Sequence, residues 1–217
     1  MHFEIDGNPD YGEVVVALSP GEDLLVDSGS MSRMSVDLDV RATTMGGLFK
    51  ALGRKLFAGE SLLLGRYHSD RGGIIALSPA VPGTVMHREL RGDSIFLTRG
   101  SFLACSAGIE IRTKFGGLKS LFSREGAFLI ECSGSGQLFY NSFGAVEEHE
   151  LDGELIVDTG HVVAWEPSLD YTIRGMGGLK QTMFSGEGLT MHFRGRGRLW
   201  LQTRTLPELA GWLGAYC

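Results

Sequence analysis

Cysteine, proline and long apolar runs are all scarce in this chain, and each scarcity removes a class of protein. Three cysteines, Cys105, Cys132 and Cys217, stand among 217 residues with no CxxC and no regular spacing. A disulfide framework is excluded, and an odd, unspaced set reads as reduced thiols in a cytoplasmic protein. Proline contributes only 6 residues, so even with glycine the pair falls short of the roughly 25–30% that marks low complexity. No segment approaches the roughly 18 uninterrupted apolar residues of a membrane span. The opening MHFEIDGNPDYGEV places acids where a secretory signal carries a basic flank and an apolar run. Basic charge is also in deficit: 20 Lys and Arg face 26 Asp and Glu, a formal net charge of −6. That balance favours solubility, excludes DNA as the expected partner and argues against bulk nucleic-acid binding.

What the chain has in excess is glycine, 32 residues of it. No G-x-y period exists, so collagen is excluded, and recurring apolar stretches exclude disorder. The glycine therefore reads as many tight turns ending short strands.

Internal repetition organises these turns. Three double-glycine segments stand out: Met45-Gly46-Gly47-Leu48, Phe115-Gly116-Gly117-Leu118 and Met176-Gly177-Gly178-Leu179. Each precedes a Leu/Met-Phe pair and a glutamate: Leu56-Phe57 with Glu60, Leu121-Phe122 with Glu125, Met183-Phe184 with Glu187. Upstream lie Leu24-Leu25-Val26 closed by Gly29, Ile95-Phe96-Leu97 closed by Gly100, and Leu155-Ile156-Val157 closed by Gly160. Downstream, Gly73, Gly136 and Gly197 each open a further apolar run. Landmarks held in register this way imply a triplication with copies at 1–78, 79–144 and 145–217.

Strict alternation precedes each double glycine, as in Ser35–Arg41, Ile109–Arg112 and Tyr171–Arg174, and it recurs in Leu189–Arg194. Period two means strands with one wet and one buried face. The expectation is an all-β chain of short antiparallel strands joined by glycine turns. Two short helices are added: an amphipathic insert at Leu48–Phe57, and a tail from Leu206 to Leu213 with Pro207 near its start.

The run Gly175–Leu189, with Gly197 and Trp200-Leu201-Gln202-Thr203-Arg204 after it, resembles the bacterial TRAP-like proteins related to the yeast "altered inheritance of mitochondria" biogenesis protein. The likeness extends along the whole chain. It implies three tandem TRAP-like units, each a short double-stranded β-helix related to jelly rolls. The resemblance carries no established enzymatic activity. Its mitochondrial member is associated with inner-membrane organisation and respiratory-complex assembly.

A double-stranded β-helix raises the question of a cupin-like metal site, but His2, His68, His87, His149, His161 and His192 never cluster within four residues. His161 and His192, with Glu166 or Glu187, are the pair that folding could bring together; His192 reads better as the wet face of its strand. Glu60, Glu125 and Glu187 recur in every copy, which favours a structural role accepting backbone N–H groups from the glycine turn. Ser133-Gly134-Ser135-Gly136 and Gly195-Arg196-Gly197 read as hairpin turns, not phosphate cradles. Cys132 beside Glu131 is poorly placed for a thiolate nucleophile. The cluster Arg194-Gly195-Arg196-Gly197-Arg198 suits phosphate, yet its counterpart Cys132–Gln137 has no basic residue, so RNA is disfavoured. A cleft between units lined by Trp165, Trp200 and Tyr171 would suit a small ligand or metal. The insert Leu48–Phe57 either caps the first unit or docks on a partner or membrane.

The sequence thus reads as a non-catalytic binding or scaffolding protein that associates with protein partners and with itself. No catalytic, cofactor or metal residue is assigned, and peripheral membrane contact stays open.

Overall fold

The structure is a computed structural model describing residues 1–44, 63–115, 128–175, 189–214 and 216. The chain is predominantly β, and the described residues include one short α-helix. The strands are β1 (His2–Asp6), β2 (Glu13–Leu18), β3 (Asp23–Asp27), β4 (Met31–Met34) and β5 (Asp39–Thr44). They continue as β6 (Leu63–His68), β7 (Gly73–Leu77), β8 (Val85–Thr98), β9 (Phe102–Ser106) and β10 (Ile109–Phe115). The last third holds β11 (Phe128–Asn141), β12 (Val146–Asp158), β13 (Val162–Trp165), β14 (Leu169–Gly175) and β15 (Leu189–Gln202), then α1 (Leu206–Gly214). The double-glycine segments, the glutamates Glu60, Glu125 and Glu187, and the insert Leu48–Phe57 lie outside the described residues. The strands that flank those segments meet in register, Thr44 with Leu63, Phe115 with Phe128 and Gly175 with Leu189.

All strand pairs are antiparallel. β11 pairs with β8, β9 and β10. β15 pairs with β12, β13 and β14. Earlier in the chain the same role is divided, β7 pairing with β2 and β4 while β6 pairs with β3 and β5. One sheet runs β1-β2-β7-β4, and the other runs β12-β15-β13-β8-β11-β9-β3-β6-β5.

Alternation places the core. In β2 every second residue is buried, with Val14, Val16 and Leu18 turned inward. One apolar cluster gathers around Leu24, Ile75 and Phe139, a second around Ile95, Phe102 and Leu138, and a third around Trp165 and Phe193. Each large apolar side chain buried this fully contributes about 1.5–3 kcal/mol over its exposed state.

Three local expectations change. The strands are not uniformly short, since β8, β11 and β15 each run for 14 residues. Ser133–Gly136 and Gly195–Gly197 are interior to β11 and β15 rather than hairpin turns. There the strands bend past a neighbouring turn: a Cβ on Gly134 would sit 2.4 Å from the Gly108 carbonyl oxygen, and φ at Gly134 is +122°. At Gly195 the corresponding distance, to the Ser168 carbonyl oxygen, is 3.0 Å. Glycine here permits close passage of two backbones, not chain reversal. Finally, the alternation at Ser35–Arg41 is interrupted by a turn. Ser35 Oγ accepts the Ile74 N–H at 2.9 Å, Val36 is 98% exposed, and β5 begins only at Asp39.

Candidate functional site

Three features of the surface could carry function: a cavity, an exposed helix and a charged strand face. The cavity, of about 320 Å³, opens between the turn after β8 and the turn after β12. Thr98, Arg99, Gly100 and Ser101 form one wall and Thr159 and Gly160 another, with Leu129, Leu189 and Met191 as an apolar floor. Both turns are tied down locally. Thr98 Oγ1 donates to the Val162 carbonyl at 2.9 Å, and Asp158 accepts the Gly160 N–H at 2.8 Å. Gln202, a further lining residue, donates to the Gly160 carbonyl at 2.8 Å and accepts the Phe143 N–H. Asn141 also lines the cavity and is 5% exposed. At the end of β3, burial pushes the Asp27 carboxyl up to about 6, with the Arg99 charge pulling the other way.

The tryptophan cleft anticipated from the sequence is not this cavity. Trp165 is fully buried, stacked on Phe96 at 5.4 Å and edge-on to Tyr171 and Phe193. Trp200 is buried too, donating its indole N–H to Glu148 at 2.8 Å beneath the Arg198 guanidinium. Both tryptophans lie in the core, where their area stabilises most.

Helix α1 starts where the cavity ends, Leu206 and Pro207 lining it. Thr205 Oγ1 accepts the Glu208 N–H at 3.3 Å as an N-terminal cap. Beyond that point the helix is exposed: Trp212 is 61% exposed, Leu209, Leu213 and Tyr216 are exposed, and no residue of α1 is buried. Trp212 and Tyr216 pack on each other, ring centroids 5.2 Å apart.

The arginine cluster is paired along β15. Arg194 faces Glu154 at 3.5 Å, Arg196 faces Asp152 at 4.0 Å, and Arg198 holds Glu166 at 2.9 Å. Strand register puts each of these arginines opposite an acidic residue of β12. Burial alone would raise the Glu166 carboxyl; the Arg198 N–H and guanidinium and the Arg88 charge outweigh it and hold it below the usual carboxylate range. The histidines serve locally. His161 Nδ1 lies 2.7 Å from the Gln202 carbonyl, while His192 Nε2 lies 3.3 Å from Thr190 Oγ1. Among the described residues no group of three or more His, Cys, Asp or Glu gathers as a metal site. Cys105 and Cys132 are buried, and burial with the Glu131 charge pushes the Cys132 thiol up to about 12. Neither is poised as a nucleophile. Among the described residues no helix is long and apolar enough to cross a membrane.

One bond that sequence reasoning missed recurs three times. Ser35 Oγ accepts the Ile74 N–H at 2.9 Å, Ser106 Oγ the Gln137 N–H at 2.9 Å, and Glu166 Oε2 the Arg198 N–H at 3.0 Å. The acceptors differ in type, so no residue match announces them.

A protein of Streptococcus pyogenes serotype M6, itself uncharacterised, is 33% identical over 225 residues, spanning 100% of this chain and 91% of its own length. A crystal structure of a Streptococcus pyogenes protein superposes with a TM-score of 0.85 at 32% identity, covering 100% of this chain and 99% of that one. Residues 3–204 match the family described as Mitochondrial biogenesis AIM24. With that span matched, the chain belongs to the Mitochondrial biogenesis AIM24 family.

Proposed function

We propose that this protein is a non-catalytic binding and scaffolding body that works through protein partners and through itself. The observation that carries the reading is α1: a capped helix presenting Leu209, Trp212 and Leu213 to solvent without burying any of its own residues. Exposed apolar clusters on a folded β body mark places where another molecule sits. The body itself is read as three tandem TRAP-like units, 1–78, 79–144 and 145–217, each a short double-stranded β-helix related to jelly rolls. Supporting this is the recurrence of one strand pattern around β11, around β15 and around β6 with β7. The unspaced thiols support a cytoplasmic setting, and the family resemblance supports peripheral contact at membrane complexes. The ion-paired arginines of β15 support partners other than RNA.

The test is affinity capture from native extract with the intact chain and with a Leu209→Ser, Trp212→Ser, Leu213→Ser variant. A reproducible partner held by the first and lost by the second is expected. Identical captures from both would overturn the role of the helix.

A second reading, a small-ligand module, rests on the largely apolar cavity that Asn141 lines from a buried position. Native mass spectrometry of freshly purified protein tests it. A bound small molecule released by Asn141→Leu is expected, and a spectrum of bare chain alone would remove it.

A further inference from the structure

Two strand edges of this chain are the two halves of a junction that the chain already makes twice within itself. β9 lies on β3 with Cys105 opposite Leu25 and Ala104 opposite Val26. β13 lies on β8 with Trp165 opposite Phe96 and Ala164 opposite Leu97. In both junctions a short strand following a turn joins the upper end of an earlier strand. Each short strand also carries a one-residue irregularity against its other neighbour, between Phe102 and Ala104 and between Val162 and Ala164.

β4 carries the same irregularity, between Met31 and Arg33 against β7. Alignment on it sets Met34 where Cys105 and Trp165 stand, and Arg33 where Ala104 and Ala164 stand. β12 is the strand that stands where β3 and β8 stand: Val157 pairs with Met191 as Val26 pairs with Gly65 and Leu97 with Ile130. Ile156 is therefore the counterpart of Leu25 and Phe96. β4 ends one sheet and β12 ends the other, and among the described residues neither has a strand on its outer edge.

Exposure separates these edges from their counterparts. Every residue of β13 is buried, whereas every residue of β4 is exposed, Met34 by 37%. Ile156 is 60% exposed, whereas Phe96 is buried. Charge points to the same stretch. β12 carries Glu147, Glu148, Glu150, Asp152 and Glu154, the usual protection of an open edge, and ends on Asp158, whose carboxylate is engaged by the Gly160 N–H, but Leu155-Ile156-Val157 carries no charge. The unprotected residues are the ones that the two internal junctions use.

We infer that copies of this chain associate head to tail, β4 of one adding to Leu155-Ile156-Val157 of the next with Met34 opposite Ile156. The two edges differ, so the contact is heterologous and builds a closed ring or an open chain. Arg33, in place of the two alanines, and the short pairing make this a weaker junction than the internal ones. The inference rests on the three-unit reading and not on the role of α1, so the two fail separately.

Disulfide trapping tests it, with Cys217→Ser as background and Cys105 and Cys132 buried out of reach. Met34→Cys and Ile156→Cys are made as single variants, both at exposed positions, and checked for folding by circular dichroism. On mild oxidation, a mixture of the two is expected to shift from monomer to a dimer joining Met34→Cys to Ile156→Cys. Oxidised alone, each should stay monomeric, and the double variant should give a ladder of oligomers. No dimer in the mixture would overturn the inference, as would equal dimer from one variant alone. An intramolecular disulfide in the double variant, with a monomer mass, would place both edges in one chain and overturn it too. Without any cysteine change, Ile156→Lys should remove the faster-sedimenting species from the wild-type profile; wild-type protein that sediments only as a monomer, with no trapped dimer, counts against the inference.

Discussion

Glu166 grips Arg198 twice, accepting its backbone N–H at 3.0 Å through Oε2 and its guanidinium at 2.9 Å through Oε1. Arg88 of β8 reaches the same carboxylate at 3.6 Å, so one side chain of the last third of the chain ties two strands of the body together. Glu166→Ala would leave the Arg198 N–H without its acceptor and the Arg88 guanidinium without the carboxylate it faces, and a loss of about 2–4 kcal/mol is expected. Glu166→Ser would reproduce the Ser35 and Ser106 arrangement and recover about 1 kcal/mol of it. The carboxyl is held below its ordinary value, so its contribution is present above the unfolded value of about 4.3 and fades as pH falls through the folded one. Urea unfolding at neutral and acid pH checks this: the deficit of the alanine variant should shrink in acid.

Asp27 has the opposite sign. Burial raises its carboxyl to about 6, so the folded state holds the proton more tightly than the unfolded one. Its favourable share is complete below the unfolded value of about 3.9 and is lost as pH rises through about 6. Asp27→Asn should therefore flatten the fall of the melting temperature between those values and leave the variant the more stable at neutral pH. A melting series across that window decides it; a parallel offset at every pH would contradict the assignment.

Neither of these two acids announces its role in the sequence, whereas several strands and the helix do. Alternation located β10, β14 and the first part of β15, because a period of two is written directly into residue order. Pro207 and the apolar residues after it located α1. The glycines of β11 and β15 misled, since a turn and a close strand crossing both demand glycine and only the third dimension separates them. Trp165 and Trp200 misled for a related reason: an aromatic side chain on an alternating strand fits a cleft wall or a core equally well until its partners are known. The recurring acceptor at Ser35, Ser106 and Glu166 stayed hidden because its chemistry, an oxygen facing one N–H, is conserved across unlike side chains.

The exposed tail helix should separate stability from binding. Among the described residues Trp212 has a ring contact with Tyr216 alone, and α1 buries none of its residues. Trp212→Ser is accordingly expected to change unfolding free energy by no more than about 0.5 kcal/mol. Tryptophan fluorescence of the wild type should report a solvent-exposed indole that Trp212→Ser deletes. A destabilisation of several kcal/mol would mean that the helix is part of the core after all.

Gly134 and Gly153 provide a matched pair for testing the strand bends. Both have positive φ, +122° and +136°, so a side chain at either meets the same backbone preference. They differ in what surrounds them. A Cβ at Gly134 would press on the Gly108 carbonyl oxygen at 2.4 Å, while Gly153 has nothing within 4 Å. Alanine at Gly153 should cost about 1 kcal/mol, the conformational share alone. Alanine at Gly134 should cost about 2–4 kcal/mol, because the turn between β9 and β10 must also move away from β11. Urea midpoints of the two variants, measured with equal m-values, provide the comparison. Equal losses would mean that backbone preference alone sets the need for glycine, and that the close passage of Gly108 over β11 contributes nothing.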